Sequence, residues 1–148
     1  MKTGEVCNRT VVVVGRDTPL GEAAKLMREH HVGSLVVSKN TYGRKPVGIV
    51  TDRDMVVEVM AADLDYRTLT VGEIMGDKLV IAKEGDDTLD TLKLMRASGV
   101  RRIPVVTEKG DLAGIVTVDD LLEIVAEELE DVVHAIGNEQ HRENKRRR

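Results

Sequence analysis

Apolar positions along this chain follow two periods, and their succession occurs twice. Val11–Val14 is a short β-branched run and predicts a strand. Thr18 stands as an N-cap before Pro19, and Pro at the first helical position marks a helix running to about His30. Gly33 is the expected left-handed stop. Ser34–Val37 and Val47–Thr51 predict two strands around a loop, Ser38 to Pro46, that contains Gly43. A second helix is expected from Asp52 to about Met60. The same order returns as strand Leu79–Ala82, helix Asp87–Ser98 stopped by Gly99, strands Arg102–Val106 and Leu112–Val116 around Lys109-Gly110-Asp111, and a closing helix.

The repetition extends to residue identities. Lys25-Leu26-Met27-Arg28 returns as Lys93-Leu94-Met95-Arg96, an offset of 68 that also carries Val32 onto Val100 and Val37 onto Val105. Gly48-Ile49-Val50-Thr51 returns as Gly114-Ile115-Val116-Thr117, and Asp54 as Asp120, at an offset of 66. The first repeat therefore has a loop two residues longer than the second. Leu20 falls opposite Thr88, which suggests a helix start one residue later in the second repeat. The expected fold is α/β, two β-α-β-β-α repeats packed about a pseudo-twofold axis, because neither half alone would bury much core. The expected boundaries are 6–60 for the first motif, 61–70 for a polar linker and 71–128 for the second motif. Residues 129–137 are expected as a helix extension and 138–148 as a basic disordered tail. Thr70 and Glu73 suggest a capping box for a short turn ending at Met75.

Composition narrows the chemistry. The chain has no Phe and no Trp, so its core must be built from Val, Ile, Leu, Met and Ala. The net charge of −4 is unevenly spread. Residues 138–148 hold five bases (Arg142, Lys145, Arg146, Arg147, Arg148) and two acids (Glu139, Glu143), a sum of +3 that leaves −7 on the body. An acidic body without aromatic stacking platforms argues against nucleic acid as the main partner. The one cysteine, Cys7, can form neither an intrachain disulfide nor a CxxC site, which suits a reducing cytoplasm. No apolar run is long enough for a signal-peptide core or a membrane span. His30 and His31 are adjacent and point about 100° apart on a helix, so they read as surface residues rather than metal ligands. No activated nucleophile, metal cage or phosphate-binding loop marks a catalytic residue, and no cofactor is expected.

The pattern resembles the CBS family. Its repeat has a helix ending in Leu-Met, then Gly-Val-x-x-hydrophobic-Pro-Val-Val, a turn, and Gly-Ile-Val-Thr-x-x-Asp. The second repeat carries Leu94-Met95, Gly99-Val100-Arg101-Arg102-Ile103-Pro104-Val105-Val106 and Gly114–Asp120. The first carries His31-Val32-Gly33-Ser34-Leu35-Val36-Val37, without the Gly and the Pro, and Gly48–Asp54. The resemblance implies a non-catalytic regulatory pair, often called a Bateman module, here expected to stand alone. Such pairs typically bind AMP, ADP, ATP or S-adenosylmethionine. An adenine nucleotide, AMP, ADP or ATP, is the expected ligand here; the alternatives are a ligand-free dimerisation or interaction scaffold and an S-adenosylmethionine-binding module.

Thr-x-x-Asp at a strand-to-helix corner reads in two ways. The helix N-terminus offers free N–H groups to a phosphate, the Thr hydroxyl can donate, and the Asp can accept from ribose hydroxyls. The same residues also make a helix cap. The resemblance implies that the corner of one motif faces the adenine pocket of the other. In the main cleft Thr51 and Asp54 would then face Val80, Ile81, Arg101, Arg102, Ile103 and Pro104. In a second, weaker cleft Thr117 and Asp120 would face Val12, Val13, Ser34 and Leu35. The two arginines, suited to forked phosphate contacts, favour the first cleft; the other reading of them is a surface ion pair. Val118, Leu122, Val125, Leu129, Val132 and Ile136 are spaced 4, 3, 4, 3, 4, a coiled-coil-like seam. It either folds back over its own domain or makes a homodimer through Leu129, Val132 and Ile136, and the resemblance supports the homodimer.

Overall fold

The computed structural model describes residues 1–40 and 43–147; residues 41 and 42 of the first loop and Arg148 of the tail lie outside the described residues. A short helix α1 (Thr3–Val6) opens the chain. The first repeat follows as β1 (Val13–Gly15), α2 (Leu20–His30), β2 (Ser34–Ser38), β3 (Pro46–Thr51) and α3 (Asp52–Asp54). A π-helical segment, Met55–Met60, continues α3. After a 3₁₀ turn (Tyr66–Thr68) and α4 (Val71–Ile74), the second repeat runs β4 (Ala82–Lys83), α5 (Thr88–Ser98), β5 (Arg102–Val106), β6 (Leu112–Thr117) and α6 (Val118–Arg147).

Each repeat builds one three-stranded sheet, ordered β1-β2-β3 and β4-β5-β6. In both, the first pair is parallel and the second antiparallel. The register repeats as well: Ser34 faces Thr51 where Arg102 faces Thr117, and the irregularity at Val37/Ser38 recurs at Val105/Val106. Alternate residues of β2 and β5 point to opposite faces. Leu35 and Val37 enter one core and Ile103 and Val105 the other, while Val36 and Pro104 on the opposite faces are buried too.

The cores are completed by exchange between the repeats. Val71 and Ile74 of α4, which lead into the second repeat, are buried in the first core beside Leu20, Met27 and Val50. Val6 and Cys7, which lead into the first repeat, pack against the second core. Backbone bonds fasten both exchanges. The Val71 N–H donates to the Thr18 carbonyl (2.9 Å) and the Gly72 N–H to Arg16 (2.9 Å). In the counterpart, the Thr3 N–H donates to Asp86 (2.8 Å) and the Gly4 N–H to Glu84 (3.0 Å). Thr3-Gly4-Glu5-Val6 and Val71-Gly72-Glu73-Ile74 are thus equivalent at the same offset of 68. The segment 61–70 is more than a tether, since Leu69 packs on the first core.

Several local expectations are corrected. The first strand of each repeat starts later than its apolar run, at Val13 rather than Val11 and at Ala82 rather than Leu79, because pairing begins where β2 and β5 supply partners. Pro19, not Thr18, is the N-cap of α2, the Thr18 carbonyl being engaged with Val71. Helices α2 and α5 start at Leu20 and Thr88, in register with no shift. The left-handed stop of α2 is His31 (φ 54°), not Gly33; its counterpart in the second repeat is Gly99 (φ 67°). Thr70 does precede α4, but its hydroxyl meets the Glu73 carboxylate (3.3 Å) instead of closing a capping box on the backbone.

The largest difference is α6. It continues through Gly137 to Arg147, where a disordered tail is expected. Glu, Leu and Ala before the glycine and Glu, Gln, Arg and Lys after it are good helix formers and offset its cost of roughly 1 kcal/mol. At 1.5 Å per residue this 30-residue helix is about 45 Å long. Among its described residues only Leu121 is buried. Leu129, Val132, Val133 and Ile136 are 63%, 56%, 59% and 54% exposed, so the seam does not fold back over its own domain.

Candidate functional site

Both Thr-x-x-Asp corners sit where the last strand of a sheet turns into a helix, and they have the same geometry. The Asp54 N–H donates to Thr51 Oγ1 (3.1 Å) while the Thr51 N–H donates to Asp54 Oδ2 (2.9 Å). In the second repeat the Asp120 N–H donates to Thr117 Oγ1 (3.1 Å) and the Thr117 N–H to Asp120 Oδ2 (2.9 Å). The cap is therefore real at both positions. It also orients each carboxylate, since a carboxylate with one oxygen on a backbone N–H retains acceptor sites on the other.

A cavity of about 710 Å³ adjoins the first corner. It is lined by Thr51 to Asp54, by Gly76 and Lys78 from the entry to the second repeat, by the turn Gly99–Arg102, and by Thr117 to Asp119. It thus gathers Thr51, Asp54, Arg101 and Arg102 of the expected main cleft. Val80, Ile81, Ile103 and Pro104 are not among its lining residues. Ile103 is fully buried in the second core and Val80 packs against it; Pro104 is buried and Ile81 is exposed. Strand alternation explains the division: Arg102 projects to the cleft while Ile103 projects inward.

The expected second cleft is not assembled in this cavity. Thr117 lines it, but Asp120, Val12, Val13, Ser34 and Leu35 do not. Leu35 is fully buried in the first core and Val12 packs against that core. Val13 lines a separate depression of about 340 Å³ with Asp17, Glu22 and Lys39. The 710 Å³ cavity therefore joins the two corners unequally, with the first corner fully inside and the second at its edge.

The cavity mixes charges. Four cations, Arg53, Lys78, Arg101 and Arg102, and three anions, Asp52, Asp54 and Asp119, line it. Arg102 crosses between repeats, and its Nη1 donates to the Gly33 carbonyl (3.1 Å), which also accepts from the Asp52 N–H (3.0 Å). Gly33 permits this approach, since a Cβ there would lie 3.0 Å from Asp52 Oδ2 and 3.2 Å from Arg102 Nη2. Arg101 pairs with Asp119 at 3.8 Å with both side chains about four-fifths exposed (79% and 82%), the surface ion pair that is the other reading of this arginine. Such a pair contributes little stability and leaves the guanidinium free to turn toward a ligand. Lys78, Arg53, Asp52 and Asp119 join the site without having been singled out from the sequence. Arg53 and Asp52 sit inside the first Thr-x-x-Asp motif itself, whereas nothing local marks Lys78.

Cys7 lies outside the cavity. Burial pushes its thiol above the ordinary range, opposed by the charge of Arg9, so it is protonated at neutral pH and a poor nucleophile. His30 and His31 are exposed. Among the described residues no group of three or more His, Cys, Asp or Glu could hold a metal ion. No helix among them is long and apolar enough to cross a membrane.

Comparison with known proteins agrees with this architecture. The sequence model of the CBS domain matches residues 4–61 and 71–127. An uncharacterized protein of Methanopyrus kandleri is 33% identical over 124 residues, which is 84% of this chain but only 62% of that protein. The crystal structure of hypoxic response protein I, which holds two coordinated zinc ions, matches with a TM-score of 0.73 and 34% identity over 83% of this chain and 98% of that one. A hexameric CBS-CP12 protein from bloom-forming cyanobacteria matches with a TM-score of 0.73 and 30% identity over 82% of this chain and 69% of that one. The chain belongs to the CBS domain family and carries two tandem CBS motifs. Tandem CBS proteins are typically regulatory and non-catalytic.

Proposed function

We propose that this CBS pair is a sensor that binds an adenine nucleotide (AMP, ADP or ATP) in the 710 Å³ cavity and transmits its occupancy through self-association. The observation that carries the reading is the convergence of a capped carboxylate and hydroxyl, Asp54 and Thr51, with four cations in a cavity of ligand size. Sites for small molecules are typically about 300–1,000 Å³, with a few placed polar groups. Asp54 would accept from ribose hydroxyls, and Arg101, Arg102, Arg53 and Lys78 would meet phosphates. Calorimetric titration with AMP, ADP, ATP and S-adenosylmethionine tests this. Saturable binding of an adenine nucleotide is the expected result, and absence of binding by all three nucleotides refutes it.

One observation favours the alternative of a ligand-free scaffold. Arg101 and Arg102 already have protein partners in Asp119 and the Gly33 carbonyl, so the cleft can satisfy these two of its four cations without a ligand. Titration separates the two readings. Self-association is expected as a homodimer in which Leu129, Val132 and Ile136 are covered, because exposed apolar patches of this kind mark interfaces. The lone cysteine, kept as a thiol by burial, suits a reducing cytoplasm.

A further inference from the structure

The charges of α6 are sorted along its length. Between Asp119 and Asp131 the helix carries seven acids and no base; from Arg142 to Arg147 it carries four bases and one acid. The exposed apolar segment Leu129–Ile136 overlaps the end of the acidic block and precedes the basic one, and its midpoint falls between Val132 and Val133. At 1.5 Å per residue, the basic block spans roughly 14–22 Å beyond that midpoint, and Asp119–Glu123 spans roughly 14–20 Å before it. Asp119–Glu123 and the basic block thus start at equal distances on either side of the centre of Leu129–Ile136.

We propose that two copies of this chain pair through α6 in antiparallel orientation, so that each basic end docks on the acidic start of the other helix at Asp119–Glu123. This rests on the self-association proposed above and adds its orientation and its contact with the cleft. Antiparallel pairing about the midpoint covers Leu129–Ile136 with its own copy, while the exposed Leu122 and Val125 come opposite Glu143 and Gln140, and the 4-3 spacing is the period at which two helices keep one seam in contact. It sets Glu127, Glu128, Glu130 and Asp131 opposite residues 134–138, which hold no acid. Parallel pairing instead sets the acidic stretch against its own copy. It also sets Glu139 and Glu143, which continue the seam spacing after Ile136, against themselves. Like charges so placed oppose association. The orientation has a consequence at the site, because Asp119 lines the cavity and pairs with Arg101. An arriving basic end competes with Arg101 for Asp119 and ties assembly to the state of the cleft.

The test is a charge exchange in the full chain, read as the dimer dissociation constant by sedimentation equilibrium at low salt. Arg142→Glu with Arg146→Glu, or Asp119→Lys with Glu123→Lys, should each weaken the dimer by about tenfold or more, because two symmetric contacts are reversed. Raising the salt should narrow the difference. All four changes in one chain should restore the constant to within about threefold, since the reversed blocks again meet opposites. A four-fold variant no tighter than the two double variants overturns the antiparallel orientation, as does a double variant with unchanged association. Leu129→Ser with Ile136→Ser separates the two levels. If that variant dimerises like the parent, self-association through α6 fails and the orientation with it. If it is monomeric but the four-fold variant does not recover, self-association stands and the orientation alone is wrong.

Discussion

Replacing Asp54 by alanine, and Asp120 by alanine in parallel, separates a structural role from a binding role, because the two carboxylates make the same cap. Each accepts from its threonine N–H at 2.9 Å, and each aspartate N–H donates back at 3.1 Å. Alanine keeps the N–H bond to the threonine oxygen and loses only the carboxylate half of the capping box, at a cost of about 1 kcal/mol. For a chain of this size that corresponds to a fall in Tm of about 3–5 °C. The stability cost should therefore be alike for both variants. Affinity should differ, because Asp54 lines the 710 Å³ cavity and Asp120 does not. A hydrogen bond from a ribose hydroxyl to a charged carboxylate is worth about 1.5–3 kcal/mol, which is roughly 10- to 150-fold in Kd. Asp54→Ala should thus weaken nucleotide binding by at least about tenfold, and Asp120→Ala by no more than about threefold. Thermal unfolding followed by circular dichroism gives the first quantity and calorimetry the second. Equal losses of affinity would refute the asymmetric site. An Asp54→Ala protein that is destabilised but binds normally would reduce the motif to its capping function.

His31→Gly should raise stability by about 1 kcal/mol, because His31 holds a left-handed conformation (φ 54°) that Gly adopts without cost; a chemical-denaturation midpoint at or below the parent's contradicts this. Gly114→Ala should cost about 2–3 kcal/mol and Gly48→Ala less than about 1 kcal/mol. The added Cβ at 114 would lie 2.6 Å from the Asn8 backbone oxygen and 2.8 Å from Cys7 Sγ, whereas at 48 its nearest neighbour is the movable Met75 Sδ at 2.6 Å; equal unfolding midpoints refute the distinction. With its thiol pKa raised by burial, Cys7 should react with thiol reagents at pH 7–8 more slowly in the folded than in the unfolded chain. The same shift carries a sign for stability. Above the ordinary thiol range the unfolded chain loses its proton first, so the folded state is progressively destabilised as pH rises toward the raised value. Cys7→Ser should flatten that decline, and an unchanged pH profile contradicts the assignment.

What the sequence determined by itself is what neighbours along the chain decide. The Thr51–Asp54 and Thr117–Asp120 corners are contacts between residues three apart, and the duplicated strand–helix order follows from local periodicity. Gly99 was legible as a helix stop for the same reason. His31 was not, because a histidine carries no local mark of the left-handed conformation that the repeat imposes on it. The equivalence of Thr3-Gly4-Glu5-Val6 with Val71-Gly72-Glu73-Ile74 was present in the sequence, yet too short to stand out before both segments were seen packed on the opposite repeat. The family resemblance already placed Thr51, Asp54, Arg101 and Arg102 in one cleft, but tertiary structure alone decided which other residues share the cavity. Lys78 reaches it because the entry to the second repeat is held against the first, and Arg102 because Gly33 lets a guanidinium cross between repeats. The same packing withdrew Leu35 and Ile103 into the two cores. A strand's period of two says that neighbours face opposite ways, but only the packing of one sheet against the rest of the chain says which way is the cleft.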